Sequence, residues 1–268
     1  MRTVQMEYLR PGEIQAERQR KSIVYLAIGP LEWHGPAMPY GTDPLAAHAL
    51  ACACAQRVGG VVMPCLYFGT ERERPSYILE AKGFENPDEM YVKGMDVPAN
   101  SMPSYYAREE IFALTEREYL RLLVEQKYDL NVIVNGHGAL GQRESLQRLA
   151  VEFSNETPST VLYHMIDIFT EDFKPDFGHG TLYETAIARY LGDENVDLAA
   201  FPPRDVPLKY TDYGIADDFV FAGKRSENDA VVFDPRDASV QLGEKCFQNA
   251  VDNLCRAVNT AYATLSTR

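Results

Sequence analysis

Ser22-Ile23-Val24-Tyr25-Leu26-Ala27-Ile28, closed by Gly29-Pro30, is an apolar run rich in β-branched residues. A run this short, bounded by turn residues, reads as a strand buried on both faces. Beyond it lies Asp43-Pro44, where Asp43 suits a helix N-cap and Pro44 the first helical position. Leu45 to Val58 is alanine-rich and helical in character, and Gly59-Gly60 stops it before a second strand, Val61-Val62-Met63-Pro64.

The same alternation runs down the chain. An amphipathic helix is expected from Arg108 to Tyr128, with Ile111, Leu114, Leu122 and Leu123 among its buried positions. It leads into the strand Leu130–Asn135, which ends at Gly136-His137-Gly138. Helix Gln142–Phe153, strand Thr160–Ile166, helix Tyr183–Leu191 and a long closing helix Ser239–Thr264 follow. Strands alternating with helices predict an α/β fold, a mostly parallel central sheet with helices on both faces. No repeat or linker interrupts residues 1–268, so a single domain is expected. Two stretches lack a period, 69–108 and 201–232. The first is long enough to suggest a lid, a binding loop or an oligomer arm.

Composition narrows the function classes. The formal net charge is −13, which repels nucleic-acid backbones and anionic membranes but not divalent cations. No apolar run approaches the ~18 residues of a membrane span, and the N-terminus lacks the apolar core of a signal peptide. Five cysteines at Cys52, Cys54, Cys65, Cys246 and Cys255 form no C-x-x-C framework and read as reduced thiols of a cytoplasmic protein.

In parallel α/β sheets, ligands bind beyond the carboxyl ends of the strands. Three groups of polar residues fall there. Glu32, His34 and Asp43 follow the first strand, His137 follows the strand ending at Asn135, and His179 and Glu184 stand at the entry to a later helix. Residues two apart in an extended segment point the same way, so Glu32 and His34 can project together. Carboxylate oxygen and imidazole nitrogen are ligands for Zn²⁺, Mn²⁺ or Fe²⁺. Taken singly, Asp43 is an ordinary cap, His34 a core histidine, Gly136-His137-Gly138 a tight turn, and Glu184 a solvated first-turn carboxylate. Their coincidence at strand ends, with glycines beside them, favours a metal site. His48 reads as a packed helix residue and His164 as core. Arg72, Arg74, Tyr105 and Tyr106 are candidate substrate contacts.

These residues resemble the creatininase (creatinine amidohydrolase) family. Its Ile/Val-Gly-x-x-Glu-x-His-Gly-x-x-x-Pro-x-x-Thr-Asp pattern is matched by Ile28-Gly29 through Thr42-Asp43. Its Asn-Gly-His-Gly turn is matched by Asn135 to Gly138, and its His-x-Gly-x-x-Glu-Thr element in part by His179, Glu184 and Thr185. The resemblance implies a three-layer fold, one or two divalent metals (Zn, Mn or Fe) per chain with a bridging Asp, and a homo-oligomer, commonly a hexamer. It implies Glu32, His34, Asp43, His137 and Glu184 as metal ligands, Glu184 as a catalytic residue also, and His179 as the proton shuttle. Where creatininase has a Glu two residues after the turn histidine, this chain has Ala139, and its only tryptophan is Trp33.

The expected function is therefore hydrolysis of a cyclic amide or related C–N bond in a small ring compound other than creatinine. Leu9-Arg10-Pro11-Gly12-Glu13-Ile14 and Glu32-Trp33-His34-Gly35 also resemble family members that open an oxidised inositol ring by C–C hydrolysis, acting on 3-dehydro-scyllo-inosose. A non-catalytic scaffold stabilised by its metal is the reading from another class.

Overall fold

Strand β1 (Ile23–Gly29), which follows helix α1 (Pro11–Arg20), runs through the centre of the molecule, and all seven of its residues are buried. The computed structural model describes residues 3–81, 84–98, 100–170, 173, 179–206, 208, 210–211, 214–215 and 233–265. On one side β1 pairs with β2 (Val61–Val62) and, further along, with β3 (Leu66–Tyr67). On the other it pairs in parallel with β4 (Leu130–Asn135), which pairs in parallel with β5 (Thr160–Met165). Every pairing in this five-stranded sheet is parallel, as the strand–helix alternation predicts. A two-stranded antiparallel ribbon, β6 (Tyr210–Thr211) and β7 (Gly214–Ile215), lies in the second irregular stretch, most of which falls outside the described residues.

Alternation along the central strands sorts side chains into two cores. Ile23, Tyr25 and Ala27 of β1 and Leu130, Val132 and Val134 of β4 meet α2 (Thr42–Val58) and α7 (Val240–Leu265). α6 (Leu182–Gly192) packs on both of those helices. Ile28 and Ile133 point the other way, onto α4 (Glu109–Glu125) and α5 (Leu140–Glu156). Each leucine or phenylalanine fully buried there contributes about 1.5–3 kcal/mol. The three-layer expectation holds, with every core strand aimed at one end of the sheet. No helix among the described residues is long and apolar enough to cross a membrane.

Two local expectations are corrected. The buried stripe of α4 is Phe112, Glu116, Leu120 and Leu123, whereas Ile111, Leu114 and Leu122 are 39%, 61% and 44% exposed. The true inner face passes through a carboxylate, which disguises it among the more numerous apolar residues of the outer face. Asp43, in turn, does not cap α2. The helix starts at Thr42 with Gly41 before it, and the Asp43 side chain makes no capping bond because it is committed elsewhere. Pro44 still falls among the first N–H positions that lack a helical partner, so its missing donor costs nothing.

The first irregular stretch contains short helices, α3 (Ser76–Ala81) and a 3-10 turn at Pro87–Glu89, and it folds back over the end of the sheet.

Candidate metal centre

The helix start that carries Asp43 lies against the sheet because two glycines leave it room. A β-carbon on Gly136 would stand 2.2 Å from the Asp43 carbonyl oxygen, and one on Gly29 would stand 2.8 Å from Asp43 Cβ. These glycines end β4 and β1, so α2 begins directly over two strand termini.

Asp43 then reaches a histidine with each oxygen. Oδ1 lies 3.0 Å from His34 Nε2, and Oδ2 lies 3.0 Å from His137 Nδ1. Glu32 Oε2 is 2.8 Å from the same His137 nitrogen and 4.0 Å from His34 Nε2. Glu32 and His34 thus face the same side, as two residues of an extended segment should. All four are buried. Glu184, in the first turn of α6, completes a group with His34 and Asp43, while His137 completes one with Glu32 and Asp43; within each, the donor atoms lie within 4.8 Å of one another. His179 forms a further group with Glu32 and His34.

Each of these side chains is also held from behind, which fixes the atom it presents. The Tyr106 hydroxyl donates to Glu32 Oε1, leaving Oε2 toward the cluster. The Gly180 amide donates to Glu184 Oε2 at 2.6 Å, and His34 Nδ1 donates to the Glu32 carbonyl at 3.0 Å, leaving Nε2 directed at Asp43 Oδ1. Asn135 clamps the His137 turn by donating to the His137 carbonyl and accepting the His137 amide. Asn135 is braced by Gln142, which in turn accepts the Thr70 amide. His179 Nε2 lies 2.5 Å from the Trp33 carbonyl, so that nitrogen carries the proton and Nδ1 is the acceptor. Its ring lies 4.3 Å from that of His34.

The electrostatics call for a cation. Burial disfavours the charged form of His34, yet Asp43, Glu184 and Glu32 raise its pKa to about 10. Burial likewise works against the His137 imidazolium, and Glu32 and Asp43 overcome it and hold its pKa well above 6.5. Burial alone would raise the Asp43 pKa, but the two histidines drive it far below the ordinary carboxylate range. Three carboxylates around two imidazoles suit one or two divalent ions of the Zn, Mn or Fe type. His137 Nε2, buried and without a hydrogen-bond partner, and the ill-matched Glu32 Oε2 are the residual polar atoms of this cluster.

A cavity of about 810 Å³ opens onto the cluster, lined by Glu32, Asp43, His137, His179 and Glu184. Arg72 and Arg74 also line it, but Arg72 is bound by Glu109 and Glu144, each at 2.8 Å. Arg74 is turned toward the Gly94 carbonyl and Met95. Tyr106 supports Glu32 and does not line the cavity; Tyr105 is exposed and holds the Leu31 carbonyl through its amide. The proposed substrate contacts in this stretch are thus mainly structural. Arg143, which the sequence reading passed over, does line the cavity, one turn into the helix after Gly136-His137-Gly138. His48 and His164 are partly buried outside it. Trp33 is packed behind the site against Ala37, Met95 and Phe201.

A creatininase (creatinine amidohydrolase) family model matches residues 7–80 and 99–258. The chain belongs to the creatininase family. Creatininase-family members are metal-dependent amidohydrolases, and this chain is a metal-dependent hydrolase of that type. Among solved structures it is similar to a manganese creatininase at 20% identity and TM-score 0.70, covering 97% of this chain and 99% of that one. It is similar to another creatinine amidohydrolase at 20% identity and TM-score 0.69, over 98% and 99% of the two chains. A mutant creatininase of Zn-Zn type gives 20% identity and TM-score 0.68, over 97% and 98%. No curated protein sequence matches the chain. In this creatininase-family member, then, the fold is shared nearly end to end while four residues in five differ.

Proposed function

We propose that this enzyme hydrolyses a cyclic amide or related C–N bond in a small ring compound other than creatinine, with one or two divalent ions that the donor groups around Asp43 would hold. The observation that carries the reading is the pair of donor groups sharing Asp43 at the floor of the cavity. Glu32, Asp43 and His137 would hold one ion, and His34, Asp43 and Glu184 would hold a second. Glu184 thereby does the work of the carboxylate missing at Ala139. Zinc and manganese, named for similar structures, are the first ions to try.

Divalent ions bound there would supply polarisation of a carbonyl and a lowered water pKa. The chain supplies the rest. The cavity orients the ring over the carboxylates. His179, fixed by the Trp33 carbonyl, presents Nδ1 to the cavity, where it carries a proton to the leaving nitrogen. Trp33, the sole tryptophan, is turned away from the cavity and offers creatinine no stacking wall. The apolar outer stripe of α4, Ile111, Leu114 and Leu122, supports a homo-oligomer, by resemblance a hexamer.

Elemental analysis of purified protein, followed by a screen of lactams and keto-cyclitols with the metal-loaded enzyme, tests the reading. Turnover of a lactam that stops on chelation and returns with zinc or manganese supports it. Turnover confined to keto-cyclitols replaces C–N by C–C cleavage. Absence of any bound transition metal, with no change in melting on chelation, refutes the metal centre and leaves a scaffold.

A further inference from the structure

Away from the metal centre, α2 and α7 cross antiparallel, and the register of their contacts can be read from polar pairs. Arg57 of α2 reaches Asp252 at 2.7 Å and Gln248 at 2.6 Å on α7. One turn earlier on α2 stands Cys54, and one turn later on α7 stands Cys255, so the antiparallel register sets these two opposite each other. Cys255 packs against the core cluster that contains Cys54, so the two thiols share one seam between the helices. Small neighbours, Ala47, Ala51 and Ala55 on α2 and Ala250 on α7, belong to the same packed core and let the helices approach closely.

The pair is asymmetric. Cys54 is fully buried, with Sγ 3.6 Å from the Tyr25 hydroxyl, which itself donates to the Gly59 carbonyl. Cys255 is partly exposed. The Cys54 contact and then the nearby Arg57 guanidinium lower the Cys255 pKa, against its partial burial and Asp252. Cys54 is held protonated by its contact with Cys255 and by burial. A partly exposed cysteine with a lowered pKa beside a fully buried one is the arrangement of an attacking and a resolving cysteine.

We propose that Cys255 and Cys54 form a peroxide-sensitive pair that oxidises to a disulfide stapling α2 to α7. The Cys255 thiolate attacks one oxygen of hydrogen peroxide; an S–O bond forms, the O–O bond breaks, and hydroxide leaves as water after taking a proton. The Cys54 sulfur then attacks the resulting sulfenic acid; the S–S bond forms, the S–O bond breaks, and the Cys54 proton leaves with the hydroxide as a second water. Two thiols are each oxidised by one electron, and one peroxide is reduced by two. The staple joins helices separated by most of the chain, which raises stability by restricting the unfolded state.

The test treats the purified, metal-loaded protein with a few equivalents of hydrogen peroxide. The expected result is an intact mass lower by two hydrogens, with two fewer titratable thiols. Non-reducing digests should contain the Cys54 peptide joined to the Cys255 peptide. Dithiothreitol should reverse all of this, and the oxidised protein should melt roughly 5 °C or more higher. C255S should show no mass loss. C54S, or C54A if the buried serine prevents folding, should stop at a sulfenic acid trapped by dimedone. Survival of all five thiols, a crosslink between any other cysteines, or direct passage of Cys255 to sulfinic acid without a disulfide would overturn the proposal.

Discussion

Gly136 touches the backbone of Asp43 so closely that a methyl group has no room: an added β-carbon would lie 2.2 Å from the Asp43 carbonyl oxygen and 2.7 Å from its carbonyl carbon. The obstacle is backbone, so no side-chain rotation relieves it. G136A should therefore push the start of α2 away from β4 and spread the two donor groups that share Asp43. Overpacking of this kind costs about 1–3 kcal/mol. Metal affinity should fall by roughly 10–100-fold, the range seen when ligand support is lost. Metal titration and thermal melting check both; unchanged affinity would mean that Asp43 is not held by this contact.

Tyr106 donates its hydroxyl to Glu32 Oε1 and is itself partly buried. Y106F removes that bond while keeping the ring, so folding should change little. The carboxylate, no longer fixed at one oxygen, should bind metal roughly 10-fold more weakly or worse. The comparison with Y105F is the control, since Tyr105 is 64% exposed. Equal metal binding by both variants would remove Tyr106 from the support of Glu32.

Much of this centre was legible in the sequence, and the reason is geometric. Glu32, His34, Asp43, His137, His179 and Glu184 sit at strand ends or helix starts, and a parallel sheet sends every strand's carboxyl end to one side. Position along the chain therefore implied position in space. Tyr106 reads as a substrate contact in sequence but supports Glu32, because it lies in a segment without a period, 74 residues from its partner. The inner face of α4 escapes the sequence pattern for a different reason. Periodicity assigns the core by apolarity, and Glu116 occupies a core position that only tertiary packing defines.

Glu116 makes its own prediction. Neither carboxylate oxygen has a hydrogen-bond partner, and burial raises its pKa to about 8. In the unfolded chain the group titrates near 4.5, so between about pH 4.5 and 8 the native state holds a proton that the unfolded state has released. Stability should then fall as pH rises through this window, by about 1.4 kcal/mol per unit at most. E116Q keeps the shape without the ionisation and should flatten the slope, making the variant the more stable protein at pH 8. Denaturant melts at pH 5, 6.5 and 8 decide it; parallel curves for the two proteins would show that Glu116 is solvated or paired.

Metal removal should leave an electrostatic signature at the centre itself. Without metal, His34 is held charged by Asp43, Glu184 and Glu32, with a pKa near 10 against 6.5 for a free imidazole. A raised histidine pKa contributes stability that is complete below pH 6.5 and lost as pH climbs toward 10. The metal-free protein should thus weaken over that range, while the loaded protein should not. Binding at pH 7 must also displace protons from His34 and His137, because a ligating imidazole is neutral. Calorimetry in buffers of different ionisation enthalpy should register roughly two protons released; none released would mean that these histidines do not ligate.

His179 separates a proton carrier from a ligand. His179 lines the cavity with its Nε2 committed to the Trp33 carbonyl, which leaves Nδ1 to exchange protons, yet the side chain also lies within reach of the group formed with Glu32 and His34. If it carries protons, H179A should keep its full metal content and lose about 10²–10⁴-fold in kcat on whichever ring substrate the screen identifies. The pH profile should lose one limb, and a substrate with a more acidic leaving nitrogen, needing less protonation, should suffer less from the substitution. A coordinating His179 gives the opposite pattern: metal content falls first, activity falls in proportion to it, and leaving-group acidity makes no difference. Metal content measured beside rate, on two substrates of different leaving group, distinguishes the two.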